Sequence, residues 1–118
     1  MESKYIDLEQ RTLNFSTRVR DFCYRCRKDI INAEYIKQMV RAAGSVGANY
    51  IEANDGLGNK DKRMRIKISK KEAKEAAYWL QHITTKNEEL LEKERLNLIG
   101  EANQLILIFA AILRKLID

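Results

Sequence analysis

Leu105-Ile106-Leu107-Ile108-Phe109-Ala110-Ala111-Ile112-Leu113 is apolar without a break and is closed by Gln104 and Arg114. On a helix, Leu98, Ala102, Leu105, Phe109, Ile112 and Leu116 recur at alternating four- and three-residue spacing, which lines them along one core-facing seam. Ile99, Ile106 and Leu113 widen the seam on one flank, while Leu107, Ile108 and Ala111 fall towards the back. A helix apolar nearly all round has to be covered from more than one side. A small domain covers one face, so the stretch predicts a core helix whose remaining face is shielded by another copy of the chain.

Working outward, the composition keeps the chain all-α. Its 118 residues include no proline and only five glycines, and they fit a single domain over 1–118. Without proline, long uninterrupted helices are allowed. The net charge of +5, from 22 Lys plus Arg against 17 Asp plus Glu, suits a nucleic-acid partner without requiring one. The apolar run falls short of the ~20 residues of a membrane span. Met1-Glu2-Ser3-Lys4-Tyr5 has no apolar signal core. A cytoplasmic protein with no membrane partner and with reduced cysteines is therefore expected.

Four helices are predicted, at about 8–29, 33–54, 60–85 and 92–117. In the first, Leu8, Thr12, Phe15, Val19, Phe22 and Cys26 form the seam, Asp7 and Gln10 resemble a capping box, and Arg11, Arg18 and Arg25 lie seven apart beside it. The second has Asn32 as its expected cap and Ile36, Val40, Ala43, Gly47 and Tyr50 as its buried line, with Met39, Val46 and Ile51 beside it. Its middle is rich in small residues. Each interior glycine costs roughly 1 kcal/mol against alanine, so a close neighbouring backbone is expected to compensate. In the third, Ile66, Ala73, Ala77, Leu80 and Thr84 share a face, and Met64, Ile68 and Trp79 fall nearly opposite. The fourth carries the opening stretch and runs about 39 Å at 1.5 Å per residue. Helices of similar length with short links predict an antiparallel up-and-down four-helix bundle that assembles as a homo-oligomer.

Gly44-Ser45-Val46-Gly47-Ala48-Asn49-Tyr50-Ile51-Glu52-Ala53 and Lys71-Glu72-Ala73-Lys74-Glu75-Ala76-Ala77-Tyr78-Trp79-Leu80 resemble the bacterial four helix bundle protein family. Its founding members are encoded in intervening sequences of 23S rRNA genes, and accessory proteins of diversity-generating retroelements look like relatives. The resemblance covers roughly Val19 to Leu116. It implies a ring-like homopentamer, no established catalytic activity and, from the retroelement relatives, a scaffold that binds nucleic acid and a reverse transcriptase. Ile68-Ser69-Lys70-Lys71 is more basic than the family pattern leads one to expect, which leaves the partner open.

The sharpest candidate site is the basic line Lys60, Arg63, Lys67, Lys70 and Lys74, spaced three, four, three and four along helix three. It extends over about 21 Å at 1.5 Å per residue. Regular cations on one face can follow a phosphate backbone. The line starts at the N-terminus of its helix, where positive charge opposes the macrodipole. The competing interpretation is a solvated face that keeps the protein soluble. Leu107, Ile108, Ala111, Trp79, Met64 and Ile68 are the expected oligomer interface. Gly56-Leu57-Gly58-Asn59-Lys60 precedes a helix and could hold a phosphate on its amides, although it lacks the P-loop spacing and a turn is the plain alternative. Cys23 and Cys26, with His82 as the one further soft ligand, fall short of a structural zinc set. Glu52, Glu72 and Glu75 are expected to pair with Arg11, Arg18 or Arg25 rather than do acid–base work. Tyr78 and Trp79 could stack on bases, against packing as the ordinary use of such aromatics. No enzyme activity, metal or cofactor is expected. The expected function is a non-enzymatic oligomer binding RNA or DNA, with a protein-interaction scaffold, for example a reverse transcriptase accessory subunit, as the alternative.

Overall fold

Asp7 starts the first helix by accepting the Glu9 backbone N–H on its carboxylate at 3.2 Å. The box does not close, because Gln10 donates its amide to Asn14 instead. The computed structural model describes residues 7–55 and 58–116. Among them are four helices and no strand: α1 (Leu8–Arg25), α2 (Ile30–Asn54), α3 (Asn59–His82) and α4 (Glu89–Lys115). The expected last helical residue, 117, lies outside the described residues.

The α1–α2 and α3–α4 links differ from expectation, while α2 ends at 54 as expected and α3 starts one residue early. α1 ends at Arg25 rather than 29, since Cys26 turns extended and the Lys28 ammonium bonds the carbonyls of Cys23 and Cys26 at 3.1 and 3.2 Å. A cation on the last carbonyls satisfies groups that have no partner within the helix. α2 then starts three residues early, capped by Asp29 and not Asn32. Asn32 is buried one turn in. Its amide nitrogen donates to the carbonyls of Arg27 (2.8 Å) and Thr84 (3.1 Å), and its oxygen accepts the Thr84 N–H (3.0 Å). Two links are thereby joined through one side chain. α3 stops at His82, leaving Thr84 exposed in the link instead of on the buried face. Lys86 and Asn87 turn the chain with φ of 54° and 65°, and α4 begins at Glu89 rather than 92.

Pairwise contacts fix the topology. Arg11 meets Glu101 and Arg18 meets Glu94, so α1 and α4 run antiparallel. Asn49–Arg65, Val46–Ser69 and Tyr35–Trp79 do the same for α2 and α3. Arg63–Leu113 and Arg95–Leu80 do so for α3 and α4, and Glu9–Asn54 for α1 and α2. Each helix touches two neighbours, α1–α2–α3–α4 and back to α1. This is an up-and-down bundle, 47 × 36 × 19 Å over its principal axes. Phe15, Phe22, Met39, Ile66, Leu80, Leu98, Leu105 and Phe109 fill its centre.

The α1 and α4 seams lie where their spacing put them. That of α2 is rotated: Met39, Ala42, Ala43, Val46 and Ala53 are buried, whereas Val40 and Ile51 are 45% and 47% exposed. Val40 and Ile51 therefore sit at the margin, while Ala42, Ala43 and Ala53 share the buried face with Met39 and Val46. The expected close approach is at Gly47, where a Cβ would stand 2.9 Å from Thr12 Oγ1 and 3.3 Å from Thr12 Cβ. α4 as a whole, unlike its unbroken apolar run, is long and apolar enough to cross a membrane. It nonetheless packs as a bundle helix, with Leu98, Ala102, Leu105 and Phe109 turned inward and charged residues at both ends.

Candidate nucleic-acid interface

α3 presents its cations on the side away from α2, next to the C-terminal half of α4. Lys60, Lys67 and Lys74 are exposed and Lys70 is half-buried. None of the four has a carboxylate within ion-pair distance among the described residues. Arg63 does not belong with them. Its guanidinium donates to the carbonyls of Leu113 (3.2 Å) and Leu116 (2.8 Å), capping α4 and tying it to α3. The Arg63 charge is thus spent on the end of a helix dipole, where a cation is favourable. Arg95 does the same for α3 through the Leu80 carbonyl.

Lys67, Lys70, Lys71 and Lys74 line an open groove of 660 Å³ with Glu75, Tyr78 and Trp79, and Leu113 of α4 reaches it from the other side. Tyr78 is 54% exposed. Its ring stands edge-on to Trp79 (centroids 5.0 Å apart, 71° between planes) and 4.4 Å from the His82 ring, while Trp79 lies against Tyr35 of α2 at 5.9 Å and 27°. The Trp79 indole N–H is buried and has no acceptor among the described residues. Lys71 and Tyr78 complete the groove although neither is on the five-residue line. Their place one step round the helix, at Lys67 plus four and Lys74 plus four, was the available signal.

The glutamates do not pair as expected. Arg11 and Arg18 are taken by Glu101 and Glu94 of α4, and Arg25 is exposed without a carboxylate partner among the described residues. Glu72 and Glu75 instead face Arg41 at 3.5 and 3.1 Å, and Glu52 is exposed. Glu72 is buried with one oxygen unpartnered among the described residues, which sequence spacing did not signal. Burial pushes the Cys23 thiol up to about 12 and the Cys26 thiol to about 11, so both stay protonated at neutral pH. The Gly56–Lys60 turn falls partly on residues 56 and 57, outside the described residues.

The six expected interface residues do not converge on one patch. Leu107 (62%) and Met64 (50%) are exposed; Ile108, Ala111, Ile68 and Trp79 are half-buried. By helical register Leu107, Ile108 and Ala111 lie on the outer and α1-facing side of α4. Met64, Ile68 and Trp79 lie on the outer and α2-facing side of α3.

These features define an all-α, antiparallel four-helix protein with a basic, aromatic-ended groove along its third helix. The family model of the 23S rRNA-intervening sequence protein matches residues 4–110, and the chain belongs to that family. No curated protein matches it in sequence. A solved structure from Bacteroides thetaiotaomicron, described as a protein with unknown function from the S23 ribosomal protein family, is similar to it with a TM-score of 0.76 and 23% identity. The similarity covers 91% of this chain and 98% of the other, and it concerns the fold.

Proposed function

We propose that the chain is a non-enzymatic homo-oligomer that binds nucleic acid, RNA or DNA, through the lysine face of α3. The observation that carries this is the groove in which Lys67, Lys70 and Lys74 stand together without carboxylate partners among the described residues. Unneutralised cations so close together repel one another and contribute nothing to stability, whereas a polyanion converts them into contacts with release of counterions. The family's name tells where its founding genes lie and specifies no ligand, so RNA and DNA are tested side by side. Titrating an RNA and a DNA fragment across a salt series tests it. Affinity falls steeply with salt, and Lys67→Glu with Lys70→Glu abolishes it. A flat salt dependence, or no binding at low salt, overturns it.

Assembly is supported by the apolar surface left on two different flanks, Met64 and Ile68 on α3 and Leu107, Ile108 and Ala111 on α4. Two unlike patches that meet head to tail build a ring, the arrangement of the pentamer expected from the resemblance. Repetition of a weak cationic groove around a ring raises avidity without new contacts. The same exposed apolar residues favour the second reading, a scaffold for a protein partner. A partner that co-purifies from the native host and survives the Lys67→Glu, Lys70→Glu exchange would support the scaffold over direct nucleic-acid binding.

A further inference from the structure

We infer that the α3 groove takes single-stranded rather than duplex nucleic acid, with a base stacked on Tyr78 and the sugar–phosphate backbone following Lys74, Lys70 and Lys67. The inference rests on the nucleic-acid function proposed above and names its substrate class. From Lys67 to Tyr78 the helix rises about 16 Å at 1.5 Å per residue, so cations and aromatic ring form one short track. A duplex offers phosphates to the lysines and keeps its base faces covered. A single strand offers both, and stacking on an aromatic side chain accepts any base.

Tyr78 is suited to this because its ring is exposed yet already held. Trp79 and His82 meet it at 5.0 and 4.4 Å, and Trp79 is itself backed by Tyr35. A platform fixed before binding loses little side-chain freedom when a base arrives. Among the described residues Glu75 is the one acid lining the groove, and its carboxylate is engaged by Arg41 at 3.1 Å and Lys71 at 3.9 Å, which lowers its repulsion of a phosphate. Leu113 supplies an apolar surface on the opposite side for a ribose or a second base. An acidic protein segment would use the lysines and leave the Tyr78 face idle, which separates that occupant in the test.

Fluorescence anisotropy of a short labelled RNA, single-stranded and annealed to its complement, provides the measurement across a salt series. The single strand is expected to bind more tightly. Tyr78→Leu weakens single-strand binding about five- to hundredfold and leaves duplex binding unchanged, and Tyr78→Phe restores it. Lys67→Gln, Lys70→Gln and Lys74→Gln together weaken both and reduce the single-strand salt slope by about two. Trp79 is the chain's one tryptophan and touches Tyr78, so its emission reports stacking in the unmutated protein as well. A change with single strand and none with duplex supports the inference independently of any variant. Equal binding of both forms, with Tyr78→Leu silent and Trp79 emission unmoved, overturns the stacking and leaves nucleic-acid binding standing. Binding of neither form at low salt overturns both.

Discussion

Removing the Asn32 carboxamide would strand the Arg27 carbonyl and both backbone groups of Thr84 that it now engages. Asn32 is buried whereas Arg27 and Thr84 are exposed, so water partly replaces the lost partner and each of the three bonds costs about its net worth. Asn32→Ala is therefore expected to destabilise the protein by about 2–3 kcal/mol in chemical denaturation. The sequence marked Asn32 as a helix cap because asparagine at that spot commonly is one. It could not show that the amide has a better use across a gap of 52 residues. Arg63 was misassigned for the same reason: a cation in a regular line looks like a binding group until the α4 carbonyls appear beside it. The cysteines give a second residue-scale prediction. With thiols raised to about 12 and about 11, Cys23 and Cys26 react slowly with iodoacetamide at about pH 8 in the folded protein and quickly once unfolded. Mass spectrometry of the labelled chain checks it.

At the scale of helices, spacing was informative and boundaries were so in part: the start of α1, the end of α2 and the start of α3 lie within one residue of expectation, and the ends around the other two links do not. The α1 and α4 seams were legible because large apolar residues recur along each at helical spacing, in α4 even though its back is apolar as well. The α2 seam lies a step away from its expected place because three of its buried positions are alanines, and exposed Val40 and Ile51 are the stronger apolar signal. The start of α4 was hidden because Lys86 and Asn87 make the turn without glycine or proline. Gly47 and Gly100 should separate by context. Gly47→Ala drives a Cβ to 2.9 Å from Thr12 Oγ1, in a buried side chain bonded to the Glu9 carbonyl, and is expected to lose about 1–2 kcal/mol, recovered in part by Thr12→Ala. Gly100→Ala meets nothing within 4 Å and should gain up to about 1 kcal/mol from helix propensity alone. Thermal melts of the variants decide both. In the first turns of α4, hydrogen bonds from Arg95 and then Thr85 hold the Glu92 carboxyl at about 2, against an ordinary 4.5. A carboxyl lowered by folding stabilises fully above its unfolded value, so this contribution is present above about pH 4.5 and is lost as the pH falls towards 2. With the side chain partly solvated, it amounts to about 1 kcal/mol. Glu92→Gln should flatten the stability–pH curve in that window.

For the whole molecule, the sequence conveyed the bundle and half of the candidate site. Lysines at helical spacing are visible in one dimension. The groove they share with Tyr78, and the withdrawal of Arg63 from it, depend on where α4 ends in space. The outer face of α4 carries the assembly prediction. Leu107→Glu places a charge on a side chain 62% exposed in the single chain, so the bundle itself should fold unchanged by circular dichroism. In an assembly that buries this position the same charge costs several kcal/mol. Light scattering should then show the particle fall to a lower mass, and an unchanged mass would place the subunit contact elsewhere.

The Asn32 bonds also make the two extremities of the bundle unequal. At one, the α1–α2 and α3–α4 connections are pinned by a shielded amide, like the joined end of a pair of tweezers. At the other, the Glu9–Asn54 contact lies in open water, and Arg63 is the side chain that hydrogen-bonds the last turn of α4 among the described residues. Opening should start at that second extremity and travel towards the joint. Amide protons around Thr84 would then exchange with deuterium later than those near Asn54 and Leu113, a gradient lengthwise along the helices rather than from surface to interior.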